Sequence, residues 1–285
     1  MAEQFFASLA DGLLIGFVYG LAAMGLSLIW GVMNVINLTH GPVMALGMFA
    51  TFLIFSQLHI HPYLALPLVA LLGLLFGLAT YFIAVHRVIN APHLSTLLAT
   101  FAVNMIIIGV GTTIFTTTPR TVDFDMGRLQ FGTVTLLGTR LVAALITILV
   151  AAGLYLFLYR TRPGKAIRAV ANNRAAASLM GVPTARTLGL AFGIGTMLAS
   201  LAGALIATFF PFTILSGAGY EMKAFVICVL GGLGNPTGAL VGGLVLGAME
   251  GIISVFMPNT WVPVPEFILF VLILLFRPTG LLGAR

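Results

Sequence analysis

Apolar runs of about twenty residues recur from one end of this 285-residue chain to the other, and no other feature limits its fold so severely. A helix needs about 20 residues, at a rise of 1.5 Å each, to cross a hydrocarbon core of roughly 30 Å. Runs of that length with almost no charge read as membrane spans. The short alternating segments of a transmembrane barrel are not seen. Backbone in lipid must satisfy its own hydrogen bonds, so a bundle of helices follows. The composition agrees: 60% of residues are hydrophobic, 7% are charged, and the mean hydropathy is +1.14. The expected fold is all-α, a polytopic transmembrane helix bundle built as one unit over residues 1–285.

Spans are expected at roughly 8–30, 38–58, 62–85, 94–116, 138–159, 187–210, 237–256 and 262–277. A shorter segment near 214–236 is interrupted or re-entrant, which gives eight or nine membrane segments. Pro62, Pro92, Pro236 and Pro278 fall at or near span ends, where proline costs least. Pro67 falls inside the third span and is expected to bend it or to mark its true start. The acidic start of the chain, with Glu3 and Asp11, reads as an uncleaved N-terminus rather than a basic signal peptide.

Charge then orients the bundle. Residues 160–186 hold six of the thirteen Lys and Arg residues and no acid. By the positive-inside rule this loop is cytoplasmic. Counting back places His86, Arg87 and His93 inside, and the loop 117–137, with Arg120 and Arg128 balanced by Asp123 and Asp125, outside. Counting forward places Arg277 and Arg285 inside if the interrupted segment crosses. The isoelectric point near 10 does not point to nucleic acid, because the excess is six charges beside membrane spans with no RNA-binding or zinc motif. Acidic lipid headgroups are the simpler partner for part of it. Cys228 is the only cysteine and excludes an internal disulfide.

The same loop has shape as well as charge. Asn172 and Asn173 can cap a short helix beginning near Arg174. Gly181 stands where that helix would end, and Pro183 prevents its continuation. Leu179 and Met180 form an apolar tip, the alanines permit close approach, and the arginines, Arg168 and Arg174 among them, suit carboxylates on a partner.

The stretch "AAASLMG" (175–181) resembles the EAA---G loop of ABC importer permeases, with Ala175 in place of the first Glu. Three further stretches, "YGLAAMGLSLIWGVMNVINLTHGPVMALG" (19–47), "MKAFVICVLGGLGNPTGALVGG" (222–243) and "LFRPTGLLG" (275–283), resemble the permease of the branched-chain amino-acid ABC importer, LivH type. The similarity covers most of the chain and is weakest around 117–135. The resemblance implies a second permease subunit, two ABC ATPase subunits and an extracytoplasmic substrate-binding protein in a bacterial inner membrane. It implies that Arg168, Asn173, Arg174, Ala176, Ala177, Leu179, Met180 and Gly181 couple the chain to the ATPases, which drive alternating access for branched-chain or related amino acids. ATP hydrolysis would then lie on partner subunits. No cofactor is implied, and no Walker A pattern or nucleophilic triad is legible.

Small residues recur every four positions at Gly12, Gly16 and Gly20, at Gly243, Gly247 and Gly251, and at Gly195, Ala199, Gly203 and Ala207. Each set lines one helix face and permits close packing, within this chain or against a second subunit. Gly231, Gly232, Gly234, Asn235 and Pro236 break an apolar run as a gate or hinge, or as a tight turn in which Asn235 caps the next helix. Glu221, Lys223, Glu250 and Glu266 fall in or near spans, where a charge costs roughly 2.5–3.5 kcal/mol at mid-membrane. Asn104 is the plainest polar side chain within a span; it is expected to face a pathway or, the favoured reading, to hydrogen-bond a neighbouring helix. His59, His61 and His40 lack the further donors that a metal site needs. An autonomous transporter driven by an ion gradient is the alternative. It predicts ionisable residues at the centre of the bundle, and spans one to six have almost none.

Overall fold

The computed structural model describes residues 2–131, 134–277 and 279–283, so the expectations placed on Pro278 and Arg285 lie outside the described residues. Eleven α-helices run among the described residues: α1 (Ala2–Met33), α2 (His40–Leu58), α3 (Pro62–Thr80), α4 (His93–Phe115), α5 (Gly138–Arg160), α6 (Arg162–Asn172), α7 (Arg174–Leu179), α8 (Thr184–Ile206), α9 (Ser216–Gly231), α10 (Pro236–Phe256) and α11 (Pro263–Phe276). Seven of them, α1 to α5, α8 and α10, are long and apolar enough to cross a membrane, and α11 is a shorter apolar helix. The chain is a multi-pass membrane protein with an all-α architecture. One local departure went unforeseen: strands β1 (Arg128–Phe131) and β2 (Val134–Leu137) pair antiparallel in the α4–α5 connection, with Arg128 opposite Leu137.

Contacts define two ends of the bundle. At the hairpin end, the Tyr63 hydroxyl at the start of α3 donates to the Thr139 carbonyl at the start of α5, 2.9 Å away. Asp11 of α1 pairs with Arg140 of α5. Arg120, beyond α4, exchanges both backbone hydrogen bonds with Phe212, beyond α8. At the opposite end lie α6, α7, the α9–α10 turn and the chain after α11, whose Leu281 amide donates to the Leu230 carbonyl at 2.8 Å. Among the described residues the chain passes between these ends nine times. The segment expected to be interrupted or re-entrant is broken at its start: the short helix α9 begins inside the bundle and runs to the α9–α10 turn. Pro67 neither ends nor begins a helix, since α3 starts at Pro62 and continues through it to a π-helical turn at Tyr81–Val85.

The core sits around α1 and α8, whose most apolar stretches are 83% and 89% buried, against 17% for α4 and 28% for α5. Glycine makes the centre possible. A Cβ on Gly16 would lie 2.7 Å from the Gly243 carbonyl oxygen, and one on Gly195 would lie 2.7 Å from the Gly25 carbonyl oxygen. Helices α8 and α10 therefore approach α1 backbone to backbone, where dispersion contact replaces the hydrophobic drive that lipid removes. On α4 and α5 the large side chains, Leu98, Ile106, Val110 and Leu149 among them, stay exposed and suit lipid tails.

A second break, not foreseen as such, lies at residues 34–39 between α1 and α2. Asn37 and Thr39 are buried, and the Asn37 Oδ1 accepts from the Thr39 amide at 3.1 Å and its hydroxyl at 2.6 Å. Thr100 of α4 donates to the Ile36 carbonyl and accepts from the Leu38 amide. Non-helical backbone at membrane depth is tolerated where protein covers and satisfies it. Helix α2 thus begins inside the bundle, with the His40 ring 2.9 Å from the Ala22 carbonyl in the middle of α1. Gly217 at the start of α9 lies against Gly41 and Pro42, so two interior helix starts meet.

Candidate functional site

The basic loop folds as two capped helices. Thr161 ends α5 and caps α6: its hydroxyl donates to the Phe157 carbonyl at 2.7 Å and accepts from the Gly164 amide at 3.1 Å. Pro163 in the first turn is compatible with this start. Gly164, Ile167 and Val170 are buried at a spacing of three and turn one face of α6 to the bundle, while Arg162 and Lys165 stay exposed. The sequence reading placed a single short helix here, and α6 was missed because the run is basic rather than apolar.

Helix α7 follows after one residue. Asn173 caps it, its side chain accepting from the Ala176 amide at 2.9 Å. The far end closes with the Val182 amide on the Ala177 carbonyl, the Gly181 amide on the Ser178 carbonyl, and Gly181 at φ 80°. That pair of bonds around a left-handed glycine is a Schellman closure, and Pro183 follows it. Ala177 faces inward and is buried. Leu179 and Met180 project from the tip with 87% and 84% of their surfaces exposed. Ala176 is also exposed and Arg174 half-exposed. Of the residues expected at a coupling surface, Arg168 is placed differently. Its guanidinium donates to the Leu158 carbonyl at 3.0 Å and stacks on the Tyr159 ring at 4.2 Å, so it ties α6 to α5.

Gly12, Gly16 and Gly20 meet Gly243, Gly247 and Gly251 within the chain, so neither face is free for a second subunit. Of the third stripe, Gly195 meets α1 and Gly203 meets the Met44 backbone of α2. Gly231, Gly232, Gly234, Asn235 and Pro236 form the turn from α9 to α10. Asn235 caps α10, accepting from the Gly238 amide at 3.2 Å, and donates to the Leu282 carbonyl at 2.9 Å. Gly232 and Gly234 hold φ of 103° and 83°, which glycine alone adopts cheaply. The segment is a tight turn, with Asn235 hydrogen-bonded both to α10 and to the chain after α11.

Of the cavities among the described residues, two flank this framework. One of about 870 Å³ lies at the α7 end, between Met24 and Leu28 of α1, Tyr155 and Tyr159 of α5, Arg168 of α6 and Asn235. The other, of about 310 Å³, lies at the hairpin end among α1, α5, α10 and the start of α11. Charges named singly in the sequence converge there. Lys223 of α9 pairs with Glu250 of α10 and with Glu266 of α11, the latter at 3.1 Å, and its ammonium lies 5.0 Å from the Tyr19 ring. Glu221 stands apart, its carboxylate against Gly41 at the start of α2. Asn104, expected to bond a neighbouring helix, leaves its Oδ1 without a hydrogen-bond partner among the described residues.

Comparison with known proteins finds relatives along almost the whole chain. Residues 8–276 match the family described as branched-chain amino acid transport system / permease component. The high-affinity branched-chain amino acid transport system permease protein LivH of Salmonella typhimurium is 31% identical, over 99% of this chain and 98% of its own. BraD, the corresponding permease protein of Pseudomonas aeruginosa, is 30% identical over 98% and 96%. A probable LivH of Methanocaldococcus jannaschii is 29% identical over 92% and 88%. No solved structure matches. A bundle of membrane-competent helices around a glycine-packed centre, matched from the first helix to the last, belongs to the branched-chain amino acid transport permease family, whose members are transport subunits rather than enzymes in themselves.

Proposed function

We propose that the chain is the membrane-spanning permease subunit of an ABC importer and carries branched-chain or related amino acids by ATP-driven alternating access. The observation that carries the ATP-driven part is α7. It is a helix locked at both ends, with an apolar tip held clear of the bundle. A basic loop needed only for orientation requires neither caps nor exposed Leu179 and Met180. A family described as one component of a transport system also calls for other components.

In this reading residues 1–285 act as one permease unit in a bacterial inner membrane. The end bearing α7 is cytoplasmic: Arg87, Arg160, Arg162, Lys165, Arg168, Arg174, Arg186 and Arg277 cluster there, and none of the seven acidic residues does. Two ABC ATPase subunits grip α7 through Arg174, Ala176, Leu179 and Met180, with Asn173 and Gly181 keeping the helix rigid and Arg168 transmitting its movement to α5. A second permease subunit completes the pathway, and an extracytoplasmic binding protein delivers cargo to the hairpin end. The α1–α10 glycine seam is the stiff body that α7 moves against. Reconstitution with these partners in liposomes tests the reading. Leucine uptake should require ATP and vanish when residues 173–181 become a Gly/Ser linker. Uptake that persists without ATP and follows an ion gradient would give the function to the secondary-transporter alternative.

A further inference from the structure

We infer that the 310 Å³ cavity at the hairpin end is a binding subsite for the zwitterionic head of an α-amino acid. The inference rests on the amino-acid cargo proposed above and locates where this chain itself touches that cargo. Its lining combines ionic and apolar groups: Asp11, Arg140, Lys223 and Glu250 with Ile15, Phe210, Val262 and Pro263. Its volume lies at the small end of ligand pockets, which run from roughly 300 to 1,000 Å³, and suits a single amino acid better than a peptide.

The charges are arranged for both ends of a zwitterion. Lys223 has two carboxylate partners, and Glu266, behind it and outside the lining, is enough to hold it. Glu250 is thereby in surplus and can receive a ligand ammonium. Arg140 pairs with Asp11 through one terminal nitrogen, and Phe209 and Phe210 lie 5.7 and 5.3 Å from its guanidinium. Its Nε–H is buried and has no hydrogen-bond partner among the described residues. A ligand carboxylate would pair with the part of the Arg140 guanidinium that borders the cavity, and an aliphatic side chain would rest on Ile15, Phe210, Val262 and Pro263. Packing alone does not call for such a cluster, since well-packed apolar residues commonly replace buried ion pairs without loss of stability. Ionisable groups kept inside a membrane protein mark substrate pathways more often than scaffolds.

Equilibrium binding to the permease complex in nanodiscs, without ATP or binding protein, tests this site. The probes are radiolabelled L-leucine, leucinamide, which lacks the carboxylate, and 4-methylpentanoate, which lacks the ammonium. Leucine should bind saturably, and each analogue should compete at least about tenfold more weakly, the scale of one lost charge-assisted contact. Arg140→Gln should weaken leucine by about the same factor and leave leucinamide unchanged. The reverse pattern belongs to Glu250→Gln, which should weaken leucine and leave 4-methylpentanoate unchanged. Because the analogues are read on the unaltered protein, poor folding of a variant does not rescue the idea. Absence of saturable leucine binding, or equal competition by all three compounds, would overturn it. Binding that obeys these rules while uptake proves independent of ATP would strike the importer mechanism and leave the subsite standing.

Discussion

The α1–α10 seam and the α7 tip are opposite extremes of packing within one chain. Along the seam, six glycines bring two backbones so close that a Cβ added at five of them would collide with the facing helix, and one at Gly20 would press on Leu240. At the tip, Leu179 and Met180 touch almost nothing, although the helix beneath them is fixed by an Asn cap and a Schellman closure. The seam shows how a membrane protein makes a rigid body without a hydrophobic drive between helices. The tip shows order without burial. A segment that folds firmly yet leaves its largest apolar groups exposed fits the ATPase contact proposed above.

The strongest way to break the comparison is at the seam. Gly16→Leu forces a side chain into the Gly243 and Leu244 backbone, and overpacking of this kind costs at least about 1–3 kcal/mol. The expected outcome is loss of detergent-stable protein, measured by size-exclusion recovery and thermal melting. Replacing residues 173–181 with a Gly/Ser linker should do the opposite. The bundle should melt within roughly 2 °C of wild type, a difference below about 1 kcal/mol for a chain of this size, while ATPase subunits no longer co-purify. Asn173→Ala sharpens the point. It removes a cap worth about 1 kcal/mol, so it should fray α7, leave the global melt unchanged and reduce ATP-driven uptake only partly. Smallest of all is Gly109→Ala on α4, where an added Cβ meets nothing within 4 Å. Its melting point should stay level or rise by the equivalent of about 0.5–1 kcal/mol, because the added Cβ displaces nothing and glycine weakens a helix interior.

Sequence carried the membrane spans well, because twenty apolar residues in a row have few other fates. It carried α7 too, since Asn173, Gly181 and Pro183 are local signals for a local structure. What it missed is tertiary. Lys223, Glu250 and Glu266 lie on three helices, and no spacing along the chain announces that they meet. Asn37 and Thr39 look like loop residues by type. They are buried in a segment whose Ile36 and Leu38 backbone groups find their partner in Thr100, far away in sequence. The glycine stripes were visible as close-packing faces, but period alone could not say whether the facing surface was another subunit or α10.

Cys228 is buried and is the only cysteine, so a thiol introduced elsewhere can be labelled alone. The most direct measurement is therefore cross-linking from Leu179→Cys in the assembled complex, with Met126→Cys at the hairpin end as the reference position. The account predicts that position 179 cross-links to an ATPase subunit, that the yield changes between nucleotide-free and ATP-bound states, and that position 126 does not cross-link to that subunit. No ATPase product from position 179, or equal yields at both positions, would contradict it.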